Sequence, residues 1–314
     1  MHNTDMHPQR LTNLVVDAAH LHVAQSNQQL THACRVKFHR DPPVFRLCNN
    51  TDPGGSLAFS RGPSPRRLHP QTRRALLAAE DVAAVFVEPV QGEGGIRPVS
   101  DQVLVQLGEL CRLSGTLLIV DEIQTGLGRA GRLVNYPQAA SPAVVLFGKV
   151  LGGGLLPVAA AAFDSSRIPR AAADPVVHSS SFAAAPLATA VGRAAIDVVS
   201  DSSFLNRIGV LSTRVSERLS SIAAQSCVVA GWRGRGLMFG IEFSSFEACG
   251  QTVLEAANRR LLTTFCLNDP RVLRLYPPAN ISDEELGELL DRLGAAVRAT
   301  ENWLGEGALG SDIS

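Results

Sequence analysis

Lysine is nearly absent from this 314-residue chain: Lys37 and Lys149 are the only two, and the rest of its 29 Lys and Arg residues are arginine. Aromatic side chains make up only 5% of the sequence, with two tryptophans and two tyrosines. The 29 acidic residues balance the basic ones, so there is no net charge. With no basic block either, the electrostatic footprint of a nucleic-acid binder is missing. The six cysteines, at 34, 48, 111, 227, 249 and 266, show no CxxC spacing. Free thiols are therefore expected, and neither disulfides nor a metal site. Apolar runs such as Leu155 to Phe163 are too short to span a bilayer. The polar opening, Met1 to Pro8, has no apolar stretch of the kind a signal peptide carries. These absences point to a cytoplasmic chain with no membrane or nucleic-acid partner. Its 45% hydrophobic and 18% charged residues suit a packed core.

The chain divides into three stretches. Residues 1–70 form an atypical N-terminal segment, expected to be poorly ordered or divergent. They hold seven of the eight histidines and the loop-like run Asn49 to Ser56. Some helix is expected from Leu11 to Gln25. Residues 71–200 alternate apolar runs with helical spacing. Helices are expected at Thr72–Glu80, Asp101–Leu113 and Pro186–Val199, and strands at Val82–Val87, Leu117–Val120, Val144–Phe147 and Leu155–Phe163. Short apolar strands between helices predict an α/β unit whose mostly parallel sheet is buried on both faces. Residues 201–314 suggest a smaller α+β domain. Its helices are expected near 203–224 and 282–299, and its strands near 236–243 and 272–275.

Lys149 lies between the apolar run Val144–Phe147 and the glycines 152–154. A lysine at a strand end is as readily a solvated surface residue. Only a lysine, however, can be deprotonated to form an imine, since a guanidinium stays charged. Upstream, Leu118-Ile-Val-Asp121 delivers an acid to the C-terminal end of a strand, where α/β sheets bind ligands. A cofactor that is both an aldehyde and a pyridine needs such an amine to hold it and a carboxylate at its ring nitrogen, which is the pyridoxal phosphate arrangement. Gln124 and Thr125 can then address the ring's other polar substituents.

With these residues in place, the chain resembles the class III pyridoxal-phosphate aminotransferases, of fold type I. The resemblance rests on Glu88-Pro-Val-Gln-Gly-Glu-Gly-Gly95, Asp121-Glu-Ile-Gln-Thr-Gly126 and Gly148-Lys-Val-Leu-Gly-Gly-Gly154, then His178-Ser-Ser-Ser-Phe182, Arg233-Gly-Arg-Gly-Leu-Met-Phe-Gly240 and Arg274-Leu-Tyr-Pro-Pro278. It implies a partial large domain that binds pyridoxal 5'-phosphate and a small C-terminal domain. It implies an enzyme that moves an amino group from an amine or ω-amino acid to a 2-oxo acid, working as a homodimer. Lys149 would be the Schiff-base lysine and proton shuttle, Asp121 the partner of the ring nitrogen, and Gln124 a neighbour of the phenolic oxygen. Ser181 would reach the phosphate across the dimer interface. Arg274 would bind a substrate carboxylate, and Glu93 would pair with it and release it.

The sequence also departs from the family. No Gly-Ser/Thr-Glu-Ala phosphate loop and no aromatic-His-Gly segment occur in residues 1–70, where Gly54 to Ala58 is the nearest candidate. Ala183-Ala-Ala185 stands where Gly-Gly-Asn is usual. An N-terminally incomplete member with weak cofactor retention is therefore expected. Two alternatives stay open: a truncated non-catalytic paralogue, and a racemase, epimerase or decarboxylase on the same fold.

Overall fold

The structure is a computed structural model that describes residues 44–48, 57–60, 66–68, 82–169, 173–174 and 181–310. The helices expected at 11–25 and 72–80 lie outside these residues, as do Lys37, Gly54 and His178. The chain forms two compact units. The first takes Met1–Pro89, Val99–Gly128 and Arg132–Leu205, and the second Val90–Pro98, Arg129–Gly131 and Asn206–Ser314.

A seven-stranded sheet organises the first unit. Its strands are β1 (Val44–Cys48), β2 (Leu57–Ser60), β3 (Arg66–Leu68), β4 (Ala84–Val87), β7 (Leu117–Asp121), β8 (Val144–Phe147) and β9 (Ala160–Phe163). They lie in the order β3-β2-β1-β4-β7-β8-β9. The pairs β1–β4, β4–β7 and β7–β8 are parallel, while the outer pairs are antiparallel. The expectation of a parallel sheet thus holds at the centre, and the outer pairs depart from it.

Both faces of that centre are buried, as the unbroken apolar runs predict. Strand periodicity puts Val85, Val87, Leu118 and Val120 on one face, beneath helix α1 (Asp101–Leu113). The helix contributes Leu104, Leu107 and Cys111 at helical spacing. Ser100 caps it by accepting from the Val103 amide at 3.3 Å. Val145 and Phe147 pack with Leu151 and with Ile196 and Val199 of helix α2 (Pro186–Val199), which opens on a proline. The opposite face carries Ala84, Ile119, Val144 and Leu146. Each large apolar side chain buried here stabilises the fold by roughly 1.5–3 kcal/mol.

The second unit holds helix α3 (Ser202–Gln225), then a four-stranded antiparallel sheet in the order β10-β11-β13-β12. These strands are β10 (Val229–Arg235), β11 (Met238–Phe243), β12 (Thr264–Cys266) and β13 (Asp269–Leu275). Helices α4 (Phe246–Asn258) and α5 (Asp283–Gly310) complete it. The hairpin of β5 (Val90–Gln91) and β6 (Arg97–Pro98) joins this unit despite its early place in the chain.

One expected strand is shorter than its apolar run. Leu155 to Ala159 are not strand, and β9 begins at Ala160. Pro157 has no N–H to give a ladder, and Leu155, which follows two left-handed glycines, is 78% exposed. The strand expected from Gly236 starts at Met238, because Gly236 and Leu237 turn the β10–β11 hairpin. Among the described residues no helix is long and apolar enough to cross a membrane, and no cluster of His, Cys, Asp and Glu could hold a metal ion.

Candidate active site

Strands β7 and β8 are adjacent and parallel, with Asp121 in register with Leu146. Lys149 follows Leu146 by three residues, so the carboxylate and the amine leave the sheet at the same edge. Asp121 is half-buried, and its Oδ1 accepts from the Ile123 amide at 3.0 Å, an Asx turn that fixes how the chain departs. Lys149 is exposed and opens the short 3₁₀ turn Lys149–Gly152. Its φ of 47° is left-handed, a conformation that costs a side-chain-bearing residue about 1–2 kcal/mol. Strain of this kind is held by the surroundings and gathers at functional sites. Gln124 is half-buried on the turn that Asp121 begins. Ser181 belongs to the same unit but to another loop, where it is exposed in the turn before α2.

Sequence reasoning missed the residue next to Asp121. Glu122 is 1% exposed, and its carboxylate accepts from the Thr125 hydroxyl, the Asn135 amide and, at 3.2 Å, Asn135 Nδ2. Asn135 Nδ2 also donates to the Thr125 carbonyl at 2.7 Å. Burial pushes the Glu122 carboxyl up to about 7, against the pull of these hydrogen bonds. Burial and the nearby Glu122 raise the Tyr136 phenol to about 12. Thr125 is fully buried and spends its hydroxyl on Glu122, which corrects the expectation that it faces a ligand. The period of two places Glu122 on the face of Leu118 and Val120 and Asp121 on that of Ile119, both of them buried, so it gave only a partial signal.

Glu93 and Arg274 meet in the second unit. Arg274, on β13 opposite Gly240, donates from Nη1 to Glu93 Oε1. The other carboxylate oxygen accepts from the Leu267 amide at 2.9 Å, and the Glu93 carbonyl accepts from the Asn268 amide at 3.1 Å. The turn that carries Glu93 is strained. Ile96 has φ 52°, an outlier for a β-branched residue, yet it is fully buried. It fills the space over Gly240, where an added Cβ would lie 2.9 Å from the Ile96 Cβ. Two arginines brace the same turn: Arg97 Nε donates to Gly94 O at 3.0 Å, and Arg233 Nε to Gly95 O at 2.7 Å.

The first unit therefore offers an exposed amine and a carboxylate on one strand edge. The second offers a guanidinium neutralised by a glutamate. The family description "Aminotransferase class-III" matches residues 24–297. The acetylornithine aminotransferase of Mesorhizobium japonicum is 37% identical over 220 residues, 69% of this chain and 53% of that protein. The N-acetylornithine aminotransferase of Stenotrophomonas maltophilia K279a superposes with a TM-score of 0.73 at 29% identity, covering 95% of this chain and 80% of the other. The ornithine aminotransferase of Toxoplasma gondii, with partial occupancy of PLP at its active site, gives 0.73 at 28% identity over 90% and 72% of the two chains. This chain spans about half the length of the curated relatives it matches. The likeness runs through both units and through every motif that carries the candidate site, and the chain belongs to the class III aminotransferase family.

Proposed function

We propose that this chain is a pyridoxal-phosphate-dependent aminotransferase that moves an amino group from an amine or ω-amino acid to a 2-oxo acid. One observation carries the reading: Asp121 ends strand β7, and Lys149 follows two residues after the same end of its parallel neighbour β8. The donor set fits the cofactor. Lys149 is the only lysine after Lys37, so no other amine in residues 38–314 can hold an aldehyde. Asp121 supplies the negative charge a pyridine nitrogen needs to keep its proton. When bound, the cofactor supplies an electron sink for the pair of electrons left at the substrate's α carbon.

The residues then take these parts. Lys149 Nζ would hold the cofactor's aldehyde, and its amine, when free, would carry the proton that leaves the substrate's α carbon. Asp121 would pair with the ring nitrogen, and Gln124 would lie near the phenolic oxygen. Ser181 binds the phosphate held by a second copy of the chain, in a cytoplasmic homodimer. Arg274 grips the carboxylate of the acceptor through its fork of donors. Glu93 neutralises Arg274 while a donor without that carboxylate is bound. The names of the relatives, acetylornithine and ornithine aminotransferases, favour an ω-amino acid donor.

Titrating the purified chain with pyridoxal phosphate tests the reading. A visible absorbance band should grow in, and borohydride should fix the label on Lys149. Lys149→Arg should lose both band and label. Absence of a band in the wild type, or label on Lys37, would overturn the assignment.

A further inference from the structure

We propose that Glu122 is a positioning residue: its buried carboxylate, tied to Thr125 and Asn135, holds the turn that presents Asp121 and Gln124 at the strand edge. Only the purpose of those two residues rests on the function proposed above. The turn is wound around Glu122. Its amide donates to Leu146 O on β8 at 2.9 Å, and its carbonyl accepts from the Gly126 amide at 2.9 Å. At Gly126 a Cβ would lie 2.8 Å from that carbonyl and 3.0 Å from the Glu122 Cβ, so the close wrap requires glycine. The side chain ties the same turn a second time, across to Asn135. Residues 121–126 are therefore fixed to β8 through the backbone and to Asn135 through the carboxylate.

The cluster is built to donate into Glu122. Thr125, Glu122 and Asn135 are all buried, at 0%, 1% and 0% exposure. Asn135 turns its amide nitrogen toward Glu122 Oε2 and the Thr125 carbonyl and leaves its own buried Oδ1 without a partner. Leaving a buried acceptor unpaired is unfavourable, and charge-assisted bonds to a carboxylate offset it. An amide in place of the carboxylate would set an NH₂ against at least one of the three donors. At 1% exposure, with its oxygens given to Thr125 and Asn135, Glu122 acts through Asp121 and Gln124.

Two measurements at pH 8 test the proposal on wild type, Glu122→Gln, Thr125→Val and Thr125→Ser. The first is amide hydrogen exchange without cofactor. In Glu122→Gln and Thr125→Val, exchange at Ile123 and Gly126 should quicken tenfold or more, while Val120 and Leu146 keep their protection. The second is the dissociation constant for pyridoxal phosphate. It should rise about ten- to a hundred-fold in those variants, the loss usual when the partner behind a metal ligand is removed. Thr125→Ser keeps the hydroxyl and should stay within a few-fold of wild type in both. Should Glu122→Gln fail to fold, Thr125→Val carries the test. Lower stability with unchanged exchange at the turn and unchanged affinity would make Glu122 a packing residue and overturn the proposal. A wild type that binds no pyridoxal phosphate would count against the proposed function, and the exchange measurement would still decide this one.

Discussion

Asp121 can be tested apart from the turn it begins. Asparagine keeps an oxygen for the Ile123 amide, so Asp121→Asn preserves the Asx turn while removing the charge. Its half-reaction with a donor amine should slow by about two powers of ten or more, with the melting temperature nearly unchanged. A rate within a few-fold of wild type would make Asp121 a turn former only. Glu122 gives a pH signature. Its ordinary value is 4.5, and burial raises the folded value to about 7. Between these values the folded chain holds the proton more tightly than the unfolded chain. Stability is therefore full below about pH 4.5 and is lost as pH rises to about 7, by roughly 3 kcal/mol at ~1.4 kcal/mol per pH unit. The nearby Asp121 carboxylate raises the Glu122 value further, and Glu122 in turn raises that of the Tyr136 phenol. Urea unfolding at pH 5 and pH 8 should show this loss in wild type and not in Glu122→Gln. Lys149 and the strand-end Asp121 were legible as candidates because their chemistry is rare where they stand. Glu122 and Asn135 were not, because both faces of β7 are buried and two adjacent acids look alike until the fold shows which one is enclosed.

The β5–β6 hairpin depends on a single missing side chain. Gly240 leaves room for Ile96, and a methyl group there would press on Ile96 and on Val272 Cγ1, each at 2.9 Å. Gly240→Ala should cost about 1–3 kcal/mol in urea unfolding. Ile96→Ala removes the Cγ1 contact, so in the same chain it should couple to Gly240→Ala by about 0.5 kcal/mol or more in a double-mutant cycle. Additive costs would show that Ile96 is held by something other than this fit. Elements of this kind were hard to read in the sequence. Helices α1 and α2 and strand β8 fall where periodicity places them, because leucine, isoleucine and valine mark their buried faces. Strand β10 was missed, since Gly231, Gly234 and its arginines break any alternation. Helix α4 was missed because its buried face is small: Ala248, Cys249, Thr252 and Ala256. The β5–β6 turn is set by Ile96 in a left-handed conformation that no propensity favours.

Both units are cut from interleaved pieces of chain. The second unit's core joins Val90, Ile96 and Ala130 to Met238, Cys266 and Val272. A fragment of residues 206–314 would lack the first three, and its sheet would carry an open apolar surface. It should show no cooperative thermal transition and should bind a hydrophobic dye, whereas the full chain melts cooperatively. A sharp melt from the fragment would show that its helices suffice. The same interleaving sets an order of events on the ribosome. Pro98 emerges long before Asn206, so Ile96 must wait, uncovered, for the strands that will receive it. Until they arrive Val90 and Ile96 have no core to enter, so the hairpin is made early and folds late.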